Sequence, residues 1–270
     1  MESNIARSLK LKYGPVAIIW SDQKPEGAVQ FVPGRWGCVM ASLATVAQRQ
    51  RTAVFDKETY GCWGGGVGLG FGNCYEQFPG GREGFCRFLS DGNQTSAAGR
   101  AVADACAAWM KGEMREDFLH GERYRRSPEL VRGFVERLPI MQVPTRYVIF
   151  KPLAQVVDGE DVQAVVFIVN PDQMSALVVL ANYDRPDVDG AVIPHAAGCQ
   201  SIGILTYKEG ASDQPRAVVG LNDLSARRTV RKLGREMLTV SMPWQLFQKM
   251  EANVEGSFLQ KPPWTELAAE

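Results

Sequence analysis

No excess of charge of either sign marks the chain, since thirty Lys and Arg balance thirty Asp and Glu in 270 residues. That balance removes the electrostatic case for a nucleic-acid or anionic-membrane partner, and basic runs such as "ERYRRSPELVR" are expected to be solvated helix faces. Long hydrophobic runs are missing too: "AVVFIV" and "ALVVLA" fall far short of the ~18 residues of a spanning helix. The polar start "MESNIARSLKLKYG" lacks the apolar centre of a signal peptide, so a cytoplasmic location with no membrane partner is expected. Histidine is scarce, with only His120 and His195. No Cys-x-x-Cys, His-Glu-x-x-His or Gly-x-Ser-x-Gly occurs, which takes away the short signatures of zinc centres, metalloproteases and serine hydrolases.

What is present suffices for a large core. With 45% hydrophobic content the chain needs neither metal nor disulfides merely to fold, and in a reducing compartment its six cysteines are expected as thiols or metal ligands. The length fits a single domain over 1–270. Buried-strand patterns fall on "GPVAIIWS", "RYVIFKPL", "DVQAVVFIVN", "ALVVLANY", "CQSIGIL" and "RAVVGL". Helical patterns follow Cys38, follow Thr95 or Ser96 as caps, begin at Ser127-Pro128 and end before Pro139, and close the chain behind Ser241. The predicted fold class is α/β or α+β, a mixed sheet flanked by helices. The first half is helix- and glycine-rich and the second strand-rich. "PVAIIWS" leading to Gly37-Cys38 and "YVIFKPL" leading to "AAGCQSIG" raise the further expectation of two pseudo-repeated halves, 1–125 and 126–270.

The stretch "GCWGGGVGLGFGNCY", residues 61–75, holds seven glycines. It fits neither the dinucleotide fingerprint nor the P-loop, because no register places Gly at positions one, three and six and no Lys-Ser/Thr follows. A long irregular loop over 61–94 is expected, either packed beneath Trp63 and Phe71 or offering bare backbone at Gly64, Gly65 and Gly66 to a ligand or cofactor. Cys62, Cys74 and Cys86 are evenly spaced without the short pairs typical of structural zinc. Cys38 and Cys199 each follow Gly and precede an apolar segment; Cys38 falls at a helix start, where the dipole would favour a thiolate. His195 lies four residues before Cys199, the spacing of a nucleophile with its base or of two ligands on one metal, or simply of a loop histidine. His120 and Cys106 read as a helix-end cap and a packing residue. Asp223 or Ser225 caps a helix carrying Arg227 and Arg228, which could hold a carboxylate or phosphate, or Asp223 and Arg227 pair one turn apart.

In order along the chain, "GCVMASLATVA", "YGCWGGGVGLGF", "YVIFKPL", "VVFIVNPDQMSALVVLANYD", "AAGCQSIG" and "AVVGLNDLSARR" resemble the prokaryotic family called domain of unknown function 169, or ArCR-like proteins, from about residue 10 to 250. The resemblance implies a cytoplasmic protein common in anaerobes and archaea, without an agreed activity. It places the family's Gly-Cys, Cys-Gly-Gly and Cys-Gln-Ser elements on Cys38, Cys62 and Cys199, and its Asp-x-Ser-Ala-Arg element on Asp223, Ser225, Ala226 and Arg227. An anaerobic setting favours an oxygen-sensitive thiol or cluster. The functional expectation is therefore a small ligand or redox cofactor, an iron-sulfur cluster or a metal ion, held by Cys38, Cys62 and Cys199, with Arg227 on an anionic group. Two alternatives are a ligand-binding accessory protein without chemistry, and a thiol-dependent transferase or reductase using Cys199 with His195.

Overall fold

A computed structural model describes residues 1–269. The described residues divide into two compact units, one made of residues 1–72 and 141–269 and the other of residues 73–140. The larger unit opens with α1 (Asn4–Ser8), β1 (Val16–Ser21), α2 (Val39–Arg49), β2 (Ala53–Phe55) and α3 (Trp63–Leu69). The smaller is helical: α4 (Gly81–Phe88), α5 (Gly99–Ala105), α6 (Glu113–His120) and α7 (Pro128–Arg137). The chain then returns to the larger unit with β3 (Tyr147–Pro152), β4 (Asp161–Val169), α8 (Pro171–Asn182), β5 (Ala191–Val192), α9 (Gly198–Ile202) and α10 (Ile204–Gly210). It closes with β6 (Ala217–Gly220), α11 (Leu224–Thr229), β7 (Leu238–Pro243), α12 (Trp244–Ala252) and α13 (Pro262–Leu267).

All seven strands form one mixed sheet in the order β2-β3-β1-β4-β7-β6-β5. Every pairing is antiparallel except β5 with β6. The register runs Val16↔Pro152 to Ser21↔Tyr147 between β1 and β3, and Ala164↔Pro243 to Val169↔Leu238 between β4 and β7. The stretches 16–20 of β1 and 164–169 of β4 read as continuous apolar runs because both faces of the sheet are covered there. One face packs Ala17, Ile19, Val165, Phe167, Val240 and Met242 against Leu177 and Leu180 of α8 and Leu246, Phe247 and Met250 of α12. The alternate positions, among them Ile18, Phe150, Val166 and Val218, face α2, α9 and α10. On that second face a buried polar bridge ties helix to sheet: the Ser241 hydroxyl donates to Ser201 O at 3.1 Å and meets Thr206 Oγ1 at 2.8 Å.

The α/β class is as the sequence predicts, while several elements differ. "ALVVLANY" forms most of α8, not a strand. A capping box starts that helix: Asn170 Oδ1 accepts from Gln173 N and Gln173 Oε1 from Asn170 N, with Pro171 in the first turn. Its buried residues, Gln173, Ala176, Leu177, Leu180 and Ala181, follow helical spacing, which overrides the β-branched pair Val178-Val179. "CQSIGIL" likewise belongs to α9 and α10. Ser241 lies within β7 and spends its hydroxyl on the buried bridge, so it does not cap α12, whose N-cap is Pro243. Ala98, not Thr95 or Ser96, precedes α5. Ser127 does cap α7, accepting from Leu130 N, and α7 ends at Arg137. The segments expected to echo each other enter different element orders, β1 leading to α2 and β3 leading to β4, and a pseudo-repeat is not seen.

Candidate functional site

The loop expected over 61–94 is interrupted by helices: residues 63–69 of the glycine stretch form α3 and residues 81–88 form α4. Gly64, Gly65 and Gly66 lie in α3, and Gly70 closes it with a φ of +91° in the left-handed region. Glycine is a poor helix former, costing about 1 kcal/mol relative to Ala at each interior position. What offsets that cost is contact of backbone with backbone. A Cβ on Gly68 would sit 2.6 Å from the carbonyl carbon of Cys199, and one on Gly203 would sit 1.9 Å from Gly68 O. α3 and α9 thus cross with no side chain between them at that point. Gly65 is hemmed in as well, by Tyr60 O at 2.6 Å and Val39 Cγ2 at 2.9 Å from the same hypothetical atom.

This crossing brings the thiols together. Cys38 is the N-cap of α2 and Cys62 the N-cap of α3, its Sγ accepting from Gly65 N at 3.2 Å. Cys199 lies in the first turn of α9 and donates its S–H to Gly64 O at 3.1 Å. Asp223, the N-cap of α11, joins two helices: Oδ1 accepts from Ala226 N and Oδ2 from Gly198 N, both at 2.6 Å. The four groups are close enough to feel each other's charge. Burial pushes the Cys199 thiol well above its usual range, and charge on Cys62, Cys38 or Asp223 would push it further. Burial also raises Cys38, partly offset by the amides of Ala41 and Met40 and by Thr229. Asp223 is raised by burial, against the pull of the Ala226 and Gly198 amides and of His195.

Each expected site residue now has a place. Cys38, Cys62, Cys199 and Asp223 cluster in the larger unit, and His195 is exposed, its electrostatic interaction with Asp223 opposing the upward push of burial. Among the described residues, however, no three His, Cys, Asp or Glu side chains come together in a way that could hold a metal ion. The thiols are neighbours, not a preformed ligand set. None of the six cysteines is in a disulfide among the described residues. Cys74 and Cys86 are buried in the smaller unit, where His120 ends α6 beside Glu116 at 3.5 Å.

Arg227 does not pair with Asp223. Its terminal nitrogens donate to Leu221 O at 3.1 Å, to Met237 O at 3.2 Å and to Arg235 O, so the guanidinium pins the segment after β6 to the start of β7. Sequence reasoning missed Thr229 and Met40, whose Sδ would lie 3.1 Å from a Cβ on Gly198, and, away from the thiols, the arginines that follow α11. The last were visible as the run "RRTVRKLGR", in which only the first two were weighed.

The family model described as uncharacterised ArCR, domain of unknown function 169, matches residues 4–253. The chain belongs to that family. Membership in the ArCR family carries no assigned activity, so the site described above is the source of any functional reading. No curated protein and no solved structure matches this ArCR chain significantly. Among its described residues no helix is long and apolar enough to cross a membrane.

Proposed function

We propose that the chain is a small-molecule-binding protein whose binding locus is the cluster of Cys38, Cys62, Cys199 and Asp223. The carrying observation is convergence: four helix starts deliver three thiols and a carboxylate to one place, with Asp223 tying α9 to α11. The raised thiol of Cys199, its proton committed to Gly64 O, favours neutral thiols as contacts for the ligand. The reading of Cys199 and His195 as nucleophile and base is less supported, because a nucleophile needs the thiolate. A metal ion or iron-sulfur cluster would require deprotonation and a shift of the thiols into coordinating positions. Six cysteines with no disulfide among them favour a reducing, cytoplasmic setting.

Anaerobic purification followed by absorption spectroscopy, analysis for iron, zinc and sulfide, and site-resolved alkylation at pH 7 tests this reading. The expected protein is colourless and metal-free, with Cys199 alkylating at least about 100-fold more slowly than a free thiol. A thermal-shift screen of metabolites should yield a ligand whose stabilisation is lost in Cys38→Ala and Asp223→Asn. Stoichiometric iron with sulfide would replace this reading with a cluster protein, and rapid selective labelling of Cys199 would replace it with a thiol enzyme.

A further inference from the structure

A separate pocket of about 330 Å³ lies beyond the carboxyl end of α11 and does not include the thiols. Leu221, Val230 and Met237, all nearly fully buried, form apolar parts of its wall. Arg227, Arg228, Arg231 and Arg235 supply the rest of its chemistry. Arg227 is half-buried and spent on the carbonyls of Leu221, Met237 and Arg235, which fixes the frame of the pocket. Arg228, Arg231 and Arg235 are exposed around it. Among the described residues no carboxylate pairs with Arg231 or Arg235. Glu236 lies at the pocket edge, its Oε1 2.5 Å from the position of a Cβ on Gly234. Arg231 and Arg235, with the Arg227 guanidinium beside them bonded only to carbonyls, leave a local excess of positive charge in a chain whose formal net charge is zero.

We propose that this pocket binds a small organic phosphate, with the phosphate dianion between the guanidinium groups and an apolar body against Leu221, Val230 and Met237. This goes beyond the thiol-cluster reading and stands or falls separately from it. Like charges gathered in one concavity repel, and a multiply charged oxyanion relieves that repulsion while the guanidinium groups of Arg231 and Arg235 offer it forks of donors. The volume is at the lower end of the ~300–1,000 Å³ of small-molecule sites, room for a phosphate with a compact hydrocarbon group. An apolar wall beside the charge sets the class apart from inorganic phosphate.

Phenyl phosphate is the probe, measured by isothermal titration against inorganic phosphate, benzoate and benzyl alcohol at matched ionic strength. Phenyl phosphate is expected to bind at least about tenfold more tightly than either inorganic phosphate or benzoate, and benzyl alcohol not at all. The double variant Arg231→Gln, Arg235→Gln should weaken it by about tenfold or more while leaving the thermal midpoint of the unliganded protein unchanged or higher. On the unaltered protein, raising the salt from ~50 to ~500 mM should also weaken binding markedly. Equal affinity in the double variant, or binding indifferent to salt, would overturn the proposal. If benzoate bound as tightly as phenyl phosphate, the site would be one for carboxylates and the phosphate assignment would fall.

Discussion

Gly68 and Gly203 set the spacing of the site by having no side chain. Substituting Gly68→Ala would place a methyl 2.6 Å from the Cys199 carbonyl carbon, a clash with main chain that no rotamer relieves. The expected cost is about 1–3 kcal/mol or more, read as a fall in denaturation midpoint, even though alanine is the better helix former. Gly133→Ala is the control. It lies inside α7, where the new Cβ would meet only the flexible end of Arg137 at 3.0 Å, and it should stabilise by roughly 0.5–1 kcal/mol. If both substitutions had the same sign, close packing would not be the reason for glycine at 68. At this scale the sequence was legible where chemistry is local: Gly-Cys before an apolar helical pattern puts Cys38 at a helix start, and Asp223 caps α11 as its position suggests. The glycine run was not legible, because the backbone it touches is Cys199 and Gln200, far along the chain.

Elements show the same division between local and distant causes. α8 carries its start signal in Asn170-Pro171-Asp172-Gln173, and reading that signal before the run of valines would have placed the helix correctly. Asn170→Ala should remove both the acceptor for Gln173 N and the reciprocal geometry of the box, costing about 1 kcal/mol in urea denaturation; Asn170→Asp, which keeps the acceptor, should cost less. Equal losses for the two would mean that the cap contributes little. α9 has weaker local cues, since its start depends on Gln200 Oε1 accepting from Ala197 N and on the Asp223 carboxylate reaching Gly198 N from another segment. Its helical state is a tertiary outcome, as is the placement of Ser201 against the Ser241 hydroxyl.

Across the whole molecule, titration behaviour follows from what is buried on the face of the sheet covered by α2, α9 and α10. Cys199 and Tyr207 are both held protonated beyond their usual ranges, chiefly by burial. In the unfolded chain such groups ionise near ~8.5 and ~10, so folding stability should be level through neutral pH and fall as pH rises past these values. Melting curves between pH 7 and 11 measure this, and Cys199→Ala and Tyr207→Phe should each make the decline shallower. A stability that rises with pH in that range would mean that the thiols ionise more readily in the folded protein. The α/β class was accessible from the strand patterns of β1, β3, β4 and β6, each built around an apolar run. The order of the sheet was not, because pairing β1 between β3 and β4 is decided by long-range contacts that a linear pattern does not encode.

The two margins of that sheet have a bearing on colloidal behaviour. β2 is three residues long, and its outer side is already met by Val29, which donates to Thr52 O and accepts from Val54 N; β5 is only two residues long. A foreign strand seeking to extend the sheet would find almost no row of open amides and carbonyls at either margin. The long, strongly apolar strands that would template aggregation, β1 and β4, are interior and paired on both sides. Edge-to-edge association is thus discouraged by the architecture itself, in a chain whose zero net charge gives it little electrostatic protection against clumping.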